Sequence, residues 1–448
     1  MGVLGAAALA RDTQWGLYGV MAVIMLLPFA AVPLNLGFSP TFLDLATLLL
    51  VAVWFAQTAT GRARTWTSTA LDLPLILFLA LAFFSFIVGL SFAGLTVMVL
   101  RHFVEIVMAV SLYFIVVNVL VERLDLERAA RVLIVLGFAA AAIGIALYVM
   151  PESQAVRLLS LLRVFNYPAG DGVLRYIEDN PDLPKRATST ALDPNVLGGM
   201  MILLSALTAA QLFTLKRLFR REWIVVMLAT MSLCLLLTFS RGSLLGTAVA
   251  MVFLVFMWLT RRFTPIVAAL ITLASAALAA LLGFGLLSTL PLTQPYAQHL
   301  IEGFLGQDQA TLMRFGEYKD ALNLITRYPW FGIGFAGVPD IDLYIGVSSV
   351  YLLMAEEMGL VGLGAFVLIM LIFFANGWLA FRGTGKADPI LLGALAGVLG
   401  ALVGGLFDHY FFNLDFPHSV TLFWLFVGMA MAAVNGREPT ERVRADDH

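Results

Sequence analysis

The chain has little charge and a single cysteine, and both shortages exclude whole classes of protein. Only 12% of its 448 residues are charged, well below the roughly 25% of soluble domains, so a soluble globular fold is excluded. One cysteine, Cys234, cannot form a disulfide framework or a cysteine metal site within one chain. Apolar side chains instead make up 61% of the residues, which is typical of a helical membrane protein.

The apolar residues form long runs. A bilayer core about 30 Å thick requires about 20 apolar residues per helix, and the chain contains about twelve such runs. The predicted fold is an all-α polytopic membrane protein, with residues 1–448 forming a single integral membrane domain. The first run has no small-residue cleavage pattern, so it is expected to remain as an anchor. The predicted spans are 15–35, 40–58, 71–90, 95–120, 130–150, 193–215, 223–239, 242–260, 264–287, 347–380, 389–407 and 419–435.

Lysine and arginine recur in every second connection, which predicts the orientation of the chain. Both termini are expected on the cytoplasmic side, in agreement with an even number of spans. The basic clusters are short and explained by this topology, so nucleic-acid binding is not expected. They include Arg62 and Arg64, Arg128 and Arg131, Lys216 to Arg221, Arg261 and Arg262, and Arg382 and Lys386.

Two outer connections are long, and long ordered loops usually carry function. The connection at 151–192 contains four prolines and predicts an irregular segment. The connection at 288–346, between the ninth and tenth spans, is expected to be partly helical, because apolar residues recur at helical spacing from Ala310 to Ile325. Such an amphipathic helix is suited to cover the outer mouth of the bundle as a lid. Residues 436–448 predict a solvated cytoplasmic tail.

Three arginines, Arg186, Arg241 and Arg314, fall on the predicted outer side of a protein that otherwise collects its positive charge inside. The simplest explanation is an anionic ligand at the outer mouth of the bundle. Two alternatives are open. Arg241 is near a helix end, where arginines snorkel to lipid headgroups, and Arg314 has potential acidic partners, Glu317 and Asp320, on its own helix.

Hydroxyls and helix starts surround two of these arginines. Arg186 precedes three hydroxyl residues and a predicted helix start, where Asp193 and Asn195 are expected to act as caps. Ser240 precedes Arg241 at a tight outer turn, and donors at the start of the next helix can face an anion. Guanidinium, hydroxyl and helix-start donors together suit phosphate oxygens.

The chain contains four short motifs in a fixed order, and together they resemble a known family. The motifs are Arg186 to Asn195, Thr238-Phe-Ser-Arg-Gly242, Arg314 followed by Tyr328-Pro-Trp-Phe-Gly-Ile-Gly334, and Tyr351-Leu-Leu-Met-Ala-Glu-Glu-Met-Gly-Leu-Val-Gly362. This combination resembles the bacterial O-antigen ligase and polymerase family, whose members are integral membrane glycosyltransferases. They join glycans from undecaprenyl-pyrophosphate donors outside the cytoplasmic (inner) membrane. The resemblance implies that Arg241 and Arg314 are catalytic, and that Arg186, Ser240 and Tyr351 contact the substrate.

One position departs from the pattern of the ligases. They typically have a His-Asn pair shortly before the Ala-Glu-x-x-Gly-Leu stretch, where this chain has Ser348 and Ser349. A serine of normal acidity cannot replace imidazole as a base near neutral pH, which favours a polymerase over a ligase. The expected replacements are Asp408 and His409 as catalytic groups, with His418 as a substrate contact. The alternative for these three residues is interfacial capping and aromatic anchoring.

Two further polar residues lie within predicted spans. Glu356 is a candidate substrate contact, because an ionisable residue inside the membrane is costly, although a structural pair is equally compatible with it. Arg101 is a candidate anion ligand on the outer side. Its spacing from Glu105 also suits an intrahelical ion pair.

The sequence therefore predicts a polymerase of lipid-linked repeat units, which needs no cofactor and no metal because arginines supply the positive charge. The expected partners are the undecaprenyl-pyrophosphate-linked donor and acceptor glycans and membrane lipid, and the resemblance adds chain-length regulator and flippase proteins as candidates. A ligase is the first alternative. A lipid-linked oligosaccharide flippase is the second, but it would require charge along a central cavity, whereas the charge here gathers near the outer ends. A structural subunit with a degraded site is the third.

Overall fold

The computed structural model describes residues 13–33, 39–61, 66–92, 94–168, 170–214, 216–289, 301, 303, 305–306, 309–335, 347–383, 388–413 and 415–436. These residues are mainly α-helical, with one two-stranded antiparallel sheet. The helices are α1 Thr13–Leu26, α2 Phe42–Ala59, α3 Asp72–Gly89, α4 Val97–Val119, α5 Arg123–Val149, α6 Glu152–Ser160, α7 Pro194–Ala210, α8 Arg221–Leu237, α9 Arg241–Leu259, α10 Pro265–Thr289, α11 Gln309–Arg327, α12 Val350–Gly383, α13 Pro389–Gly404 and α14 Pro417–Asn435; the strands are β1 Arg175–Tyr176 and β2 Lys185–Arg186.

The prediction of an all-α polytopic membrane protein is confirmed. Each of the twelve predicted spans overlaps a helix, although the first, predicted as 15–35, is helical only over Thr13–Leu26. In the described part of the chain nine helices are long and apolar enough to cross a bilayer. Two further apolar helices, α1 and α13, are shorter than a full span. Helices α2 and α10 expose most of their apolar surface, as expected of helices that face lipid.

Helix α7 lies at the centre of the bundle, and 89% of its apolar membrane-spanning stretch is buried inside the protein. It packs against α8, α9 and α13, and small residues allow the close approaches. A Cβ added at Gly246 of α9 would lie 2.5 Å from the carbonyl oxygen of Gly400 in α13, so the two backbones are in direct contact. Close packing through small residues is the usual way in which membrane helices associate.

The segment 151–192 folds as short elements, and none of them is long enough to span a membrane. It begins with α6, and the pair β1–β2 joins Arg175 with Arg186 and Tyr176 with Lys185. A 3₁₀ turn, Ser189–Ala191, then leads into α7. This hairpin places Arg186 beside the start of the central helix.

The amphipathic helix expected at 310–325 is observed as α11. Its sides differ from those of a soluble amphipathic helix, because Leu312, Phe315 and Leu322 are exposed while Ala321 and Leu324 are buried against the bundle. The half-buried polar residues of α11 therefore face the protein, and its exposed apolar side chains are suited to lipid or the membrane interface. The tail 437–448, and residues 290–300 and 336–346 of the large outer connection, lie outside the described residues.

Helix α12 was predicted as one continuous span, but it is broken at Gly359, which has φ 68° and ψ −177°. The backbone groups released by the break bond to the Tyr-Pro-Trp-Phe-Gly-Ile-Gly segment. Ile333 N donates to Glu356 O at 2.8 Å, and Leu360 N donates to Pro329 O at 2.8 Å. These hydrogen bonds join the Tyr328–Gly334 and Tyr351–Gly362 motifs, and this contact is called the joint at Gly359. Interruptions inside a membrane helix are tolerated when protein groups satisfy the backbone in this way.

Candidate active site

Arg186 is held in place by two hydrogen bonds. Its Nε donates to the carbonyl oxygen of Thr238 at 2.8 Å, and its Nη2 donates to Asn195 Oδ1 at 2.7 Å. Nη1 forms no hydrogen bond with the residues that the structure describes. Burial lowers the pKa of Arg186 to about 10, with opposing contributions from Asp193 and Asp408, so the guanidinium is charged at neutral pH. One edge of a fixed cation is left available for an anion.

The start of α7 explains how Asn195 becomes available to Arg186. Asp193 alone caps the helix, because its Oδ1 accepts hydrogen bonds from Asn195 N at 2.8 Å and Val196 N at 3.0 Å. The expected cap role of Asp193 is confirmed. The side chain of Asn195 does not cap the helix as expected, but instead holds Arg186.

Ser240 lies in a chain of buried hydroxyls between α8 and α9. Ser240 Oγ donates to Ser243 Oγ at 3.0 Å, and Ser243 Oγ lies 3.3 Å from the hydroxyl of Tyr410. A Cβ at Gly199 would lie 2.1 Å from the Tyr410 ring, so only glycine admits the ring there. Ser240 is 5% exposed, and its hydroxyl supports the turn before Arg241.

Arg241 reaches toward the segment that carries Arg314. Its Nη2 lies 3.4 Å from Thr311 Oγ1 on α11, which is a long hydrogen bond. A Cβ added at Gly303 would lie 1.2 Å from Arg241 Nη1, so the guanidinium lies directly against that backbone. Arg241 therefore contacts the large outer connection and does not extend into lipid, which argues against simple snorkelling.

Arg314 is half-buried on α11. The expected partner Glu317 is not paired with it, because Glu317 Oε2 accepts a hydrogen bond from Ser348 N at 3.0 Å. Among the described residues, Arg314 forms no ion pair and no hydrogen bond. Its charge is close enough to Arg186 and Asp408 to affect the pKa of each. Arg314 therefore lies at the same end of the bundle as Arg186 and Asp408.

Tyr318 fixes α11 over this site. Its hydroxyl lies 3.2 Å from the carbonyl oxygen of Ser348 and 3.1 Å from that of Leu406. Both carbonyls belong to connections that border the site, one before α12 and one after α13. Tyr318 therefore sets the position of Arg314, one turn earlier on the same helix.

Asp408 and His409 follow α13 and contact each other. Asp408 Oδ1 accepts a hydrogen bond from His409 N at 2.9 Å and lies 3.9 Å from His409 Nδ1. Burial raises the pKa of Asp408, while His409 and Arg314 act to lower it. The side chains are 13% and 19% exposed, so a ligand can approach both.

His418 lies apart from this pair. It is fully buried in the first turn of α14, and its ring packs edge-to-face on Phe29 at a centroid distance of 5.1 Å. The rings of His409 and His418 both pack near Phe416. Within the described residues, no three His, Cys, Asp or Glu side chains come together in the way that a metal site requires.

The remaining predicted contacts are engaged with the protein or buried. Arg101 forms ion pairs with Glu105 at 2.9 Å and Asp44 at 3.4 Å, as the structural alternative expects. Tyr351 donates its hydroxyl to Leu402 O at 2.8 Å. Glu356 is 1% exposed, and neither of its carboxyl oxygens has a hydrogen-bond partner among the described residues.

The sequence reasoning missed the residues that position the arginines. Asn195, Tyr318 and Tyr410 were not predicted as site residues, because their contacts cross between elements that are distant in sequence. Only the contact of Asn195 could have been found from the sequence, because Asn195 lies in the same motif as Arg186. The sequence instead predicts a cap role for it.

The helices and the basic site at one end of the bundle define a polytopic membrane protein that is suited to an anionic ligand. Residues 226–367 match the family model for O-antigen ligase. This match supports the predicted O-antigen ligase and polymerase family, and it supports a membrane glycan-processing function. The matched range includes Arg241, Arg314 and Glu356, whereas Arg186 and the Asp408–His409 pair lie outside it. No curated protein matches the chain.

Proposed function

We propose that the protein polymerises undecaprenyl-pyrophosphate-linked repeat units on the outer side of the bacterial cytoplasmic membrane. The observation that carries this proposal is the grouping of Arg186, Arg314 and Asp408 at one end of the bundle. Arg241 contacts Thr311 on α11, the helix that also carries Arg314. Arg314 acts to lower the pKa of Asp408, and Asp408 acts to raise that of Arg186, so a candidate base lies beside a candidate anion site.

The arginines act on the leaving group. As the bond between the anomeric carbon and the pyrophosphate oxygen breaks, negative charge grows on the pyrophosphate. Fixed cations placed where that charge develops lower the barrier more than they stabilise the bound donor. Arg186 is already oriented by Asn195 and the Thr238 carbonyl, so little reorganisation is needed. In this proposal guanidinium groups supply the positive charge that a metal ion supplies in other transferases.

The Asp408–His409 pair acts on the acceptor. The acceptor hydroxyl oxygen forms a bond to the anomeric carbon from the face opposite the pyrophosphate, which inverts that carbon. The hydroxyl proton passes to the pair, and the electron pair of the broken bond leaves with the pyrophosphate. The position of the ligases' His-Asn pair offers no alternative base, because Ser348 and Ser349 have hydroxyls that do not act as bases near neutral pH.

A polymerase is favoured over a ligase because Ser348 and Ser349 occupy the positions of that His-Asn pair. A flippase is less favoured, because Arg186, Arg314 and Asp408 gather at one end of the bundle, whereas a flippase would require charge along a central cavity. Chain-length regulator and flippase proteins are proposed partners, since a polymerase needs repeat units delivered to the outer side and a signal to stop.

The test uses the purified full chain in liposomes, supplied with undecaprenyl-pyrophosphate-linked repeat units of its native host. A ladder of longer lipid-linked products that persists in EDTA is the expected result. Transfer to a different added lipid acceptor without a ladder would indicate a ligase. Movement of repeat units across the bilayer without elongation would indicate a flippase, and either outcome would overturn the polymerase.

The pH dependence of elongation is predicted from Asp408. Burial raises its pKa above the usual value of about 3.9, and the group accepts a proton only when it is ionised. The rate should therefore fall as the pH is lowered through this raised pKa, at a higher pH than for an exposed carboxylate. Asp408→Asn should reduce the rate by roughly 10²- to 10⁴-fold and remove the acidic limb of the pH–rate profile.

The matched control is Asp415→Asn, which removes an exposed carboxylate of the same connection. It should leave both the rate and the acidic limb unchanged. An acidic limb that persists in Asp408→Asn would assign the base to another group.

A further inference from the structure

Three arginines at the opposite end of the bundle lie on aromatic rings. The guanidinium carbon of Arg261 is 4.3 Å from the ring centroid of Phe381, that of Arg262 is 4.9 Å from Trp258, and that of Arg382 is 5.2 Å from Trp378. Arg261 Nη2 also donates to Phe381 O at 3.2 Å, which joins the end of α9 to the end of α12. The rings of Trp258 and Trp378 hold the guanidinium groups of Arg262 and Arg382 and leave their N–H edges for other partners.

This cluster lies across the membrane from the candidate active site. Helix α9 begins at Arg241 and runs for 19 residues to Leu259, immediately before Arg261. At about 1.5 Å per residue the helix is about 28 Å long, close to the thickness of a bilayer core. The arginine–aromatic cluster is therefore at the other membrane interface, on the predicted cytoplasmic side.

Arg262 and Arg382 differ from Arg128 and Arg131, two arginines on the same predicted side, in having no carboxylate nearby in the part of the chain that the structure describes. Arg128 and Arg131 on α5 have carboxylates at 3.9 Å and 3.6 Å. Among the described residues, Arg262 and Arg382 have no ion-pair partner, and both are exposed. Positive charge that is held in place without a counter-charge is available for an anion from outside the protein.

The surroundings of the cluster favour an anion that carries acyl chains. Ile266 is 75% exposed, Leu379 is 67% exposed and Phe263 is 45% exposed, and all three lie within five residues of one of the arginines. Tryptophans such as Trp258 and Trp378 are typical of the headgroup level of a bilayer. Basic pockets between membrane helices at this level suit anionic lipid headgroups.

We propose that Arg261, Arg262 and Arg382, supported by Trp258, Trp378 and Phe381, bind the headgroup phosphate of an anionic phospholipid. The acyl chains lie along the exposed apolar side chains of α10 and α12. The bound lipid ties the end of α9 to the end of α12. Helix α9 begins at Arg241, and α12 contains the joint at Gly359. This site is independent of the donor and acceptor glycans.

The experiment compares two double variants that each remove two positive charges from the same membrane face. Arg262→Gln with Arg382→Gln alters the cluster, and Arg128→Gln with Arg131→Gln is the matched control. The purified full chain is delipidated in detergent and titrated with phosphatidylglycerol or phosphatidylcholine, and bound lipid is counted by native mass spectrometry. Inorganic phosphate is added as a competitor to distinguish a lipid site from a free-phosphate site.

The wild type and the control should retain phosphatidylglycerol in preference to phosphatidylcholine. The cluster variant should bind phosphatidylglycerol at least about tenfold more weakly, since each basic residue near an anionic headgroup contributes a severalfold factor. Equal losses in both double variants would reduce the effect to general surface charge and overturn the site. Complete displacement of the lipid by millimolar phosphate would also overturn it.

Folding is checked by the thermal unfolding midpoint of each variant in phosphatidylcholine. Arg262 and Arg382 form no hydrogen bond with described residues and lose only one exposed ring contact each, so their replacement should lower this midpoint by no more than a few degrees. If the double variant unfolds, the single variant Arg382→Gln gives the same comparison. A wild-type phosphatidylglycerol preference in a folded Arg382→Gln protein would contradict the proposal. Glycan elongation is not part of the readout, so failure here leaves the proposed function untouched.

Discussion

Replacing Arg314 with alanine is expected to abolish glycan elongation while leaving the protein folded. The guanidinium is half-buried, makes no ion pair with a described residue, and affects the pKa of Asp408 and Arg186. In the proposed mechanism, its removal takes away positive charge from the place where the leaving group develops charge. Loss of one such fixed donor typically lowers the rate by roughly 10²- to 10³-fold. The measurement is the initial rate of elongation with saturating lipid-linked repeat units, so that weaker donor binding does not mask the effect.

Two further variants separate catalysis from charge and from folding. Arg314→Lys keeps the charge but loses the planar fork that suits phosphate oxygens, so it should recover little of the rate. Lys319→Ala removes a cation from the exposed face of α11 and should keep the wild-type rate. A wild-type rate in Arg314→Ala would exclude this residue from the chemistry. The role of stabilising the leaving group would then be assigned to Arg186 and Arg241.

Most of the helical framework could be predicted because the bilayer imposes a length on every apolar run. Each of the twelve predicted spans overlaps a helix, and the largest differences are at the end of the first, where the helix stops at Leu26, and at the start of the fifth, where the helix begins at Arg123. The break in α12 could not be predicted, since hydropathy treats residues 347–380 as one continuous run. The break depends on a backbone partner, Pro329 to Ile333, that lies outside the helix. Hydropathy contains no information about such a partner.

In the candidate site, too, features that depend on nearby sequence could be predicted, whereas contacts between distant residues could not. The prediction that Arg186, Arg241 and Arg314 share one side of the membrane follows from the alternation of basic connections along the chain. Their partners do not follow from it. Glu317 has the spacing for a pair with Arg314, but the backbone of Ser348 takes its carboxylate.

The buried polar groups near α12 show where tertiary packing and sequence rules disagree. Glu356 precedes the break, is almost fully buried and has no hydrogen-bond partner among the described residues. Its backbone carbonyl is nevertheless bonded to Ile333 N, so the chain position is fixed even though the side chain is not satisfied. The motif that contains Glu356 therefore has a demonstrated structural role, the joint at Gly359, in addition to the substrate role predicted for its carboxyl.

Gly359→Ala is expected to cause the largest loss of folded protein of any single change considered for this chain. The backbone at Gly359 has φ 68° and ψ −177°, a region that is essentially restricted to glycine and that costs other residues of order 1–3 kcal/mol. An added Cβ would also lie 2.2 Å from the carbonyl oxygen of Trp330, so the Tyr-Pro-Trp-Phe-Gly-Ile-Gly segment would have to move. That movement would break the hydrogen bonds from Leu360 N and Ile333 N, each worth about 1 kcal/mol.

The control for Gly359→Ala is Gly364→Ala, one turn further along the same helix. An added Cβ at Gly364 meets nothing within 4 Å, and alanine favours a helix over glycine by up to about 1 kcal/mol. Gly364→Ala should therefore match or exceed the wild type in thermal unfolding midpoint and in the yield of monodisperse protein. Gly359→Ala should yield mainly aggregated protein after extraction into detergent. If the two variants are equally stable, the break is not built into the fold, and the two motifs would need an explanation other than a shared joint.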